Sequence, residues 1–371
     1  MGDLNAETAP ADFAWHNPVE VRFGWQALAQ LPAIVAGRSV ALVLFPEAGA
    51  LGLRRRLESL LPRIVQLIDD IPPNPDFSHV AAQHRRFWRD GAAADLIVAV
   101  GGGSVLDTAK CLSIDTEDGL AGALDPAHPS TSRRPIVAVP TTAGTGSEVT
   151  PWATLWAADE TPPRKLSLHR AETWPQIALV DPELSLTLPR AATVAGALDA
   201  LSHALEAIWN RNANPVSDRL AVAAARLVLA SLPAVLAAPD DRSGRMALAR
   251  AATLAGLAFS NTKTALAHEI SYALTLRKGI THGIACSAPL PLVWRLAQGR
   301  DAARDAVLSE VFACDAAQGA GRLEGFLNGL EVATELCSYG FAVAEVEDIL
   351  QRARSGARGR NFIGFPPPGE G

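Results

Sequence analysis

Residues 96–110 read Leu96-Ile97-Val98-Ala99-Val100-Gly101-Gly102-Gly103-Ser104-Val105-Leu106-Asp107-Thr108-Ala109-Lys110. A short, uninterrupted apolar run fits a strand buried on both faces. It passes straight into three glycines and then into a segment that can open a helix. Bare backbone amides at such a turn suit a pyrophosphate, because glycine permits close approach and helix N–H groups point at the anion. The spacing is not GxGxxG, so the turn is not the usual dinucleotide fingerprint. By itself it is equally compatible with a tight strand-to-helix connection that binds nothing.

Ala41–Phe45, Ile64–Ile68, Ile136–Val139 and Ile177–Val180 are further apolar runs. Leu51–Leu61 and Val80–Arg89 have helical period between them. Apolar strands separated by helices predict a mostly parallel sheet covered on both faces. Ile136–Val139 ends in Pro140-Thr141-Thr142-Ala143-Gly144-Thr145-Gly146-Ser147-Glu148, a second polar glycine loop after a strand. Two such loops at strand C-termini are where an open α/β sheet binds a nucleotide. Beyond Asp181-Pro182-Glu183-Leu184 the character changes. Ala191–Asn210, Pro215–Leu232 and Gly244–Ser260 are long Ala/Leu-rich helical stretches, with Pro189 suited to a first helical turn. The reading is an α/β dinucleotide-binding domain over residues 1–186 and an all-helical domain over 187–371. Arg352–Gly371, rich in Gly, Pro and Arg, reads as a loosely packed tail.

The 371 residues exceed one ordinary small domain. Hydrophobic residues at 49% exclude a disordered chain, and a net charge of −6 argues against a nucleic-acid partner. No apolar run approaches the ~20 residues of a membrane span, and the polar N-terminus lacks a secretory core. Cys111, Cys286, Cys314 and Cys337 show no CxxC spacing, which predicts a reducing, cytoplasmic setting.

Asp199 and His203 stand four apart in a helical stretch and so share a face. His268 lies in the helical stretch ALAHEISYAL, and His282 follows in Gly279-Ile280-Thr281-His282-Gly283. One carboxylate and three imidazoles suit a divalent first-row metal, without choosing between Fe2+ and Zn2+. Each member alone has a bland alternative, such as an i,i+4 surface pair or a core histidine. His16, His79, His84, His128 and His169 have no such company and are assigned structural roles.

Taken together, GGGSVLDTAK, PTTAGTGSEVT, DPELSLTLP, DALSHALEA and His268…THG resemble the iron-containing (group III) alcohol dehydrogenases, from Phe23-Gly24 to about residue 295. The resemblance implies a metal held by Asp199, His203, His268 and His282 in a cleft between the two domains. It implies an NAD(P)H site formed by Gly102, Gly103, Ser104, Asp107, Thr141, Thr142, Ser147 and Lys165, with Asn74 near the adenosine. It further implies a small alcohol or aldehyde substrate and a homodimer. The chain departs from the family at several positions. Leu44-Phe45-Pro46-Glu47 lacks the acid often found after the first strand, which leaves NAD against NADP open. Tyr272 replaces a histidine thought to help move the proton, leaving that task to Tyr272, the ribose hydroxyl or water. Thr281 stands where many members have Pro. Lys263 stands where glycine is common, and the surrounding wording resembles the phosphonoacetaldehyde reductase branch. Lys263 and Arg277 are therefore candidate receivers of an anionic substrate group. A short-chain primary alcohol or diol dehydrogenase, a dehydroquinate-synthase type of chemistry, and a non-catalytic nucleotide sensor are the competing readings.

Overall fold

The computed structural model describes residues 12–90, 94–157 and 164–365. Its longer strands are β1 (Glu20–Phe23), β2 (Val40–Leu44), β3 (Ile64–Ile68), β4 (Leu96–Gly101), β5 (Ile136–Pro140), β6 (Trp152–Ala157), β7 (Arg164–His169) and β8 (Ile177–Val180), beside a two-residue antiparallel pair, Ile114–Asp115 with Ser132–Arg133. The main sheet has the order β1-β8-β5-β4-β2-β3, and every pairing in it is parallel. β2, β4 and β5 are buried along their whole length, which is why their sequences are continuously apolar. Strand order reverses between β2 and β4, so the glycine turn leaves the sheet at the crevice where such folds bind ligands.

Among the helices of the first half are α1 (Leu53–Leu60), α2 (Phe77–Asp90) and α3 (Gly103–Leu112). β6 and β7 form an antiparallel hairpin that the sequence reading missed. WATLWA lacks a clean alternation, RKLSLH alternates only over the short run Lys165–His169, and the connection lies outside the described residues.

Past β8 the described chain is helical: α4 (Arg190–Ile208), α5 (Pro215–Ala237), α6 (Arg242–Thr262), α7 (Leu266–Lys278), α8 (His282–Ser287), α9 (Leu290–Ala297), α10 (Ala302–Phe312), α11 (Ala316–Gly329) and α12 (Val343–Ser355). Pro189 is the cap residue before α4 rather than a member of its first turn. Asp181 ties the junction together by accepting from the backbone N–H groups of Gln26, Leu28 and Glu183. α5 is long and apolar enough to cross a membrane by length and composition. It instead lies against α4 and α6, burying Ala221, Ala225, Val228 and Leu232 in the helical core. The end of the chain is not a loose tail as far as residue 365. Phe362 is fully buried, and Arg211 donates to the carbonyls of Arg360 and Phe365.

Candidate active site

A cavity of about 500 Å³ opens between the sheet and the helices. On the sheet side it is lined by Asn74, Gly103, Ser104, Asp107, Thr145 and Ser147. Gly102 caps α3, and a Cβ on Gly103 would stand 2.7 Å from Thr145 Cγ2. The glycines therefore let the second loop pack on the helix start and keep the amides there uncovered. Asn74, in the left-handed region at φ 54°, donates its N–H to Ser104 Oγ. Lys110 is fully buried and donates to Ser147 Oγ (2.6 Å) and the Trp152 carbonyl (2.6 Å). Ser147 in turn donates to Asp107, whose other oxygen accepts from Thr154 N–H. This chain fixes both glycine loops and the hairpin to one another. Thr141 and Thr142 face a separate small pocket with Glu148, Asp181 and Thr253, so the structure does not bring them to the main cavity.

On the helical side, Asp199, His203 and Glu206 lie at i, i+4 and i+7 of α4, on one face. His268 belongs to the first turn of α7, and His282 opens α8. The Nε2 atoms of His203, His268 and His282 stand 3.8, 3.7 and 3.8 Å from a single oxygen, Asp199 Oδ1. That oxygen and His203 Nδ1 are buried without a hydrogen-bond partner. A buried carboxylate oxygen left unpaired is costly, and three imidazole nitrogens ring it. The donor set fits a divalent cation.

The sequence reading missed Glu206, although seven residues after Asp199 is the spacing that returns it to the same face. It is fully buried. It accepts from the backbone N–H groups of Ala265, Ala267 and His268, and from His268 Nδ1 at 2.6 Å. One carboxylate thus caps α7 and turns His268 Nε2 toward the cluster. Burial opposes its charge, but His268 and these N–H groups hold Glu206 below its ordinary pKa. Burial brings His203 down to about 4, which leaves its imidazole neutral as a ligand must be. Cys286, i+4 from His282, was also missed. Its Sγ lies 3.6 Å from both His282 ring nitrogens, and the donor atoms of Asp199, His268, His282 and Cys286 lie within 4.8 Å of one another.

The remaining wall carries Trp152, Trp156, Lys165, His169, Phe259 and Lys263, with Thr264, Arg358 and Asn361 beside them. Phe259 stacks on His203 at 4.1 Å between ring centroids. His169, set aside as structural in the sequence, reaches this wall. Lys263 lines it at an exposed position. The other two residues assigned to chemistry do not line it. Arg277 sits at the exposed end of α7, ion-paired with Glu345 and over the Phe341 ring. Tyr272 lies behind Lys165 and Arg358, its hydroxyl buried without a partner, and burial drives its pKa up. It is placed to support those cations rather than to pass a proton to the cavity.

The fold and the site define a nucleotide-binding sheet domain joined to a helical domain with a metal-ligand cluster facing the shared cleft. Residues 18–182 match the iron-containing alcohol dehydrogenase family, and residues 193–363 match the Fe-containing alcohol dehydrogenase family, C-terminal part. The chain belongs to the iron-containing alcohol dehydrogenase family. Over 243 residues it is 40% identical to the phosphonoacetaldehyde reductase of Streptomyces viridochromogenes, covering 63% of this chain and 60% of that relative. It is 36% identical over 281 residues to long-chain-alcohol dehydrogenase 1 of Geobacillus thermodenitrificans, covering 73% and 70%. The crystal structure of sulfoacetaldehyde reductase from Bifidobacterium kashiwanohense in complex with NAD+ superposes with a TM-score of 0.87 at 28% identity, covering 95% of each chain.

Proposed function

We propose that the protein is an NAD(P)H-dependent reductase of a small aldehyde bearing an anionic group, converting phosphonoacetaldehyde to 2-hydroxyethylphosphonate. The observation that carries this reading is the charge on the substrate wall. Lys165, Lys263 and Arg358 line one cavity beside the ligand cluster, and none of their charged groups is ion-paired with a carboxylate among the described residues. Similarity to a phosphonoacetaldehyde reductase and to a sulfoacetaldehyde reductase supports the same substrate class.

Asp199, His203, His268 and His282 would hold the ion, with Fe2+ proposed and Zn2+ the competitor. A bound ion there supplies Lewis-acid polarisation of the carbonyl oxygen, and the nicotinamide supplies the hydride for the carbonyl carbon. Glu206 keeps His268 in the tautomer that presents Nε2. Gly103 and Ser104 at the start of α3 take the cofactor diphosphate, and Asp107 and Ser147 fix the loop beside it. Trp152, Trp156 and Phe259 exclude water from the reacting end. One proton must reach the oxygen for each hydride, and with Tyr272 off the cavity wall its donor is the cofactor ribose hydroxyl or water.

The test is the rate of NADH and NADPH oxidation with phosphonoacetaldehyde and with a neutral aldehyde of similar size. A clear preference for the charged aldehyde is expected. Equal use of the neutral aldehyde would remove the phosphonate assignment and leave a primary alcohol or diol dehydrogenase. That second reading draws on the aromatic lining and the long-chain-alcohol dehydrogenase relative.

A further inference from the structure

Residues beyond α12 fold back onto the metal-binding helices. Arg358 N–H donates to Glu269 Oε2 at 2.9 Å, and Asn361 Nδ2 donates to the Thr264 carbonyl at 2.8 Å. The packing at Gly356 and Gly359 leaves no room for a Cβ, against the Glu269 carboxylate and the Ala353 carbonyl respectively. Phe362 anchors the far end in the core. The backbone around Arg358 is therefore fixed on α7, the helix that carries His268.

The Arg358 side chain is fixed as well. Its Nε donates to Thr264 Oγ1 at 3.1 Å, and its guanidinium lies over the Tyr272 ring at 5.2 Å. Both terminal nitrogens remain without a partner among the described residues, and the side chain lines the cavity. Lys165 Nζ stands over the same ring at 4.7 Å, also without an acidic neighbour in hydrogen-bond reach among those residues. Two cations held on one aromatic ring repel each other, and the ring compensates only in part. An anion between them removes the repulsion. A guanidinium already held at Nε presents its remaining N–H groups as a preformed fork for an oxyanion.

We propose that Arg358 is the specificity-determining residue for substrate. Its free N–H groups receive the oxyanion tail, phosphonate or sulfonate, while Lys165 supplies a second charge. Glu269 and Thr264 act as positioning residues for Arg358, and the task falls to neither Lys263 nor Arg277. This rests on the reading of the substrate as an anionic aldehyde.

The test compares wild type, Arg358→Met and Arg358→Lys with phosphonoacetaldehyde, sulfoacetaldehyde and a neutral aldehyde of similar size. The ratio of kcat/KM for charged over neutral aldehyde falls about tenfold to a hundredfold in Arg358→Met, the range of a charge-assisted hydrogen-bond pair. Arg358→Lys recovers part of it, because an ammonium keeps the charge and loses the fork. A purely structural role would lower both activities by one factor and leave the ratio unchanged, which would overturn the proposal. The phosphonate and sulfonate arms show which tail the fork prefers. Competitive inhibition by methylphosphonate and methanesulfonate provides a readout independent of charged-aldehyde turnover. If wild type shows no preference for charged aldehydes, the functional reading falls. The seat itself still stands if the Arg358→Met variant loses methylphosphonate inhibition seen in wild type. Absence of that inhibition in wild type overturns the seat.

Discussion

Glu206 lies two helical turns after Asp199 and touches no part of the cavity, yet it meets four hydrogen-bond donors at the start of α7. Glu206→Gln keeps the volume and one acceptor and removes the charge. We expect metal affinity to fall about 10- to 100-fold, the usual effect of losing a partner behind a histidine ligand. Metal content after dialysis against a graded chelator series measures it, and unchanged retention would assign Glu206 to helix capping alone. Lys263 poses the opposite problem. Its backbone sits at φ 65°, ψ 175°, a region that suits glycine and costs other residues ~1–3 kcal/mol. The conformation is enforced: Lys263 N–H bonds the Phe259 carbonyl, and its own carbonyl accepts from Asn210 Nδ2. Lys263→Gly should therefore raise the melting temperature while reducing use of charged aldehydes less than Arg358→Met does. A lower melting temperature would refute the strain. The unusual Lys at this position was visible in the sequence, but its strain was not, since a dihedral angle is imposed by the helices on either side.

At the scale of elements, the second glycine loop is gripped by two helices through backbone contact. Gly144 packs on Gly196 of α4, and Gly146 packs on Gly256 of α6. A glycine inside a helix costs ~1 kcal/mol against alanine, so Gly256→Ala on propensity alone would stabilise α6. A Cβ there, however, would stand 2.6 Å from Val149 Cγ2 and 2.9 Å from Gly146 Cα. Overpacking of that kind costs ~1–3 kcal/mol, so the net change should be destabilising. A urea midpoint moved upward would show that the loop yields. The strands β2, β4 and β5 were legible because burial on both faces writes an unbroken apolar run. α4 was legible as a helix, and with it the shared face of Asp199 and His203. The hairpin β6–β7, which contributes Lys165, was not, because Asp107 and the Pro75 carbonyl hold it through the backbone N–H groups of Thr154 and Trp156, contacts that leave no mark on residue type. Arg358 was hidden for a similar reason: a Gly- and Arg-rich end reads as loose until Thr264, Glu269 and Phe362 are seen to hold it.

Across the whole molecule, charge separates by place. The chain carries a net charge of −6, but the wall beside the metal cluster is cationic. Composition reports the first and is silent on the second, which arises only when β7, α6 and the chain end meet. Lys165 makes the consequence measurable. Burial first, and then the nearby Arg358 charge, bring its ammonium from an ordinary 10.5 to about 8, opposed by Cys286, Asp107 and Asp199. Between about 8 and 10.5 the unfolded chain holds this proton and the folded chain does not. Folding stability attributable to Lys165 therefore increases as pH rises through that window and is lost as pH falls to about 8. Binding of an anionic tail runs the other way, since it needs the charged ammonium and weakens as pH rises through about 8. KM for phosphonoacetaldehyde should accordingly climb above pH 8 in wild type and show a flatter profile in Lys165→Met. The difference in melting temperature between the two proteins should shift toward wild type over the same range. Opposite slopes for affinity and stability are the signature of a cation held uncompensated for an anionic ligand. Parallel slopes would mean that Lys165 serves the fold alone, and would return the choice of substrate to the aromatic wall.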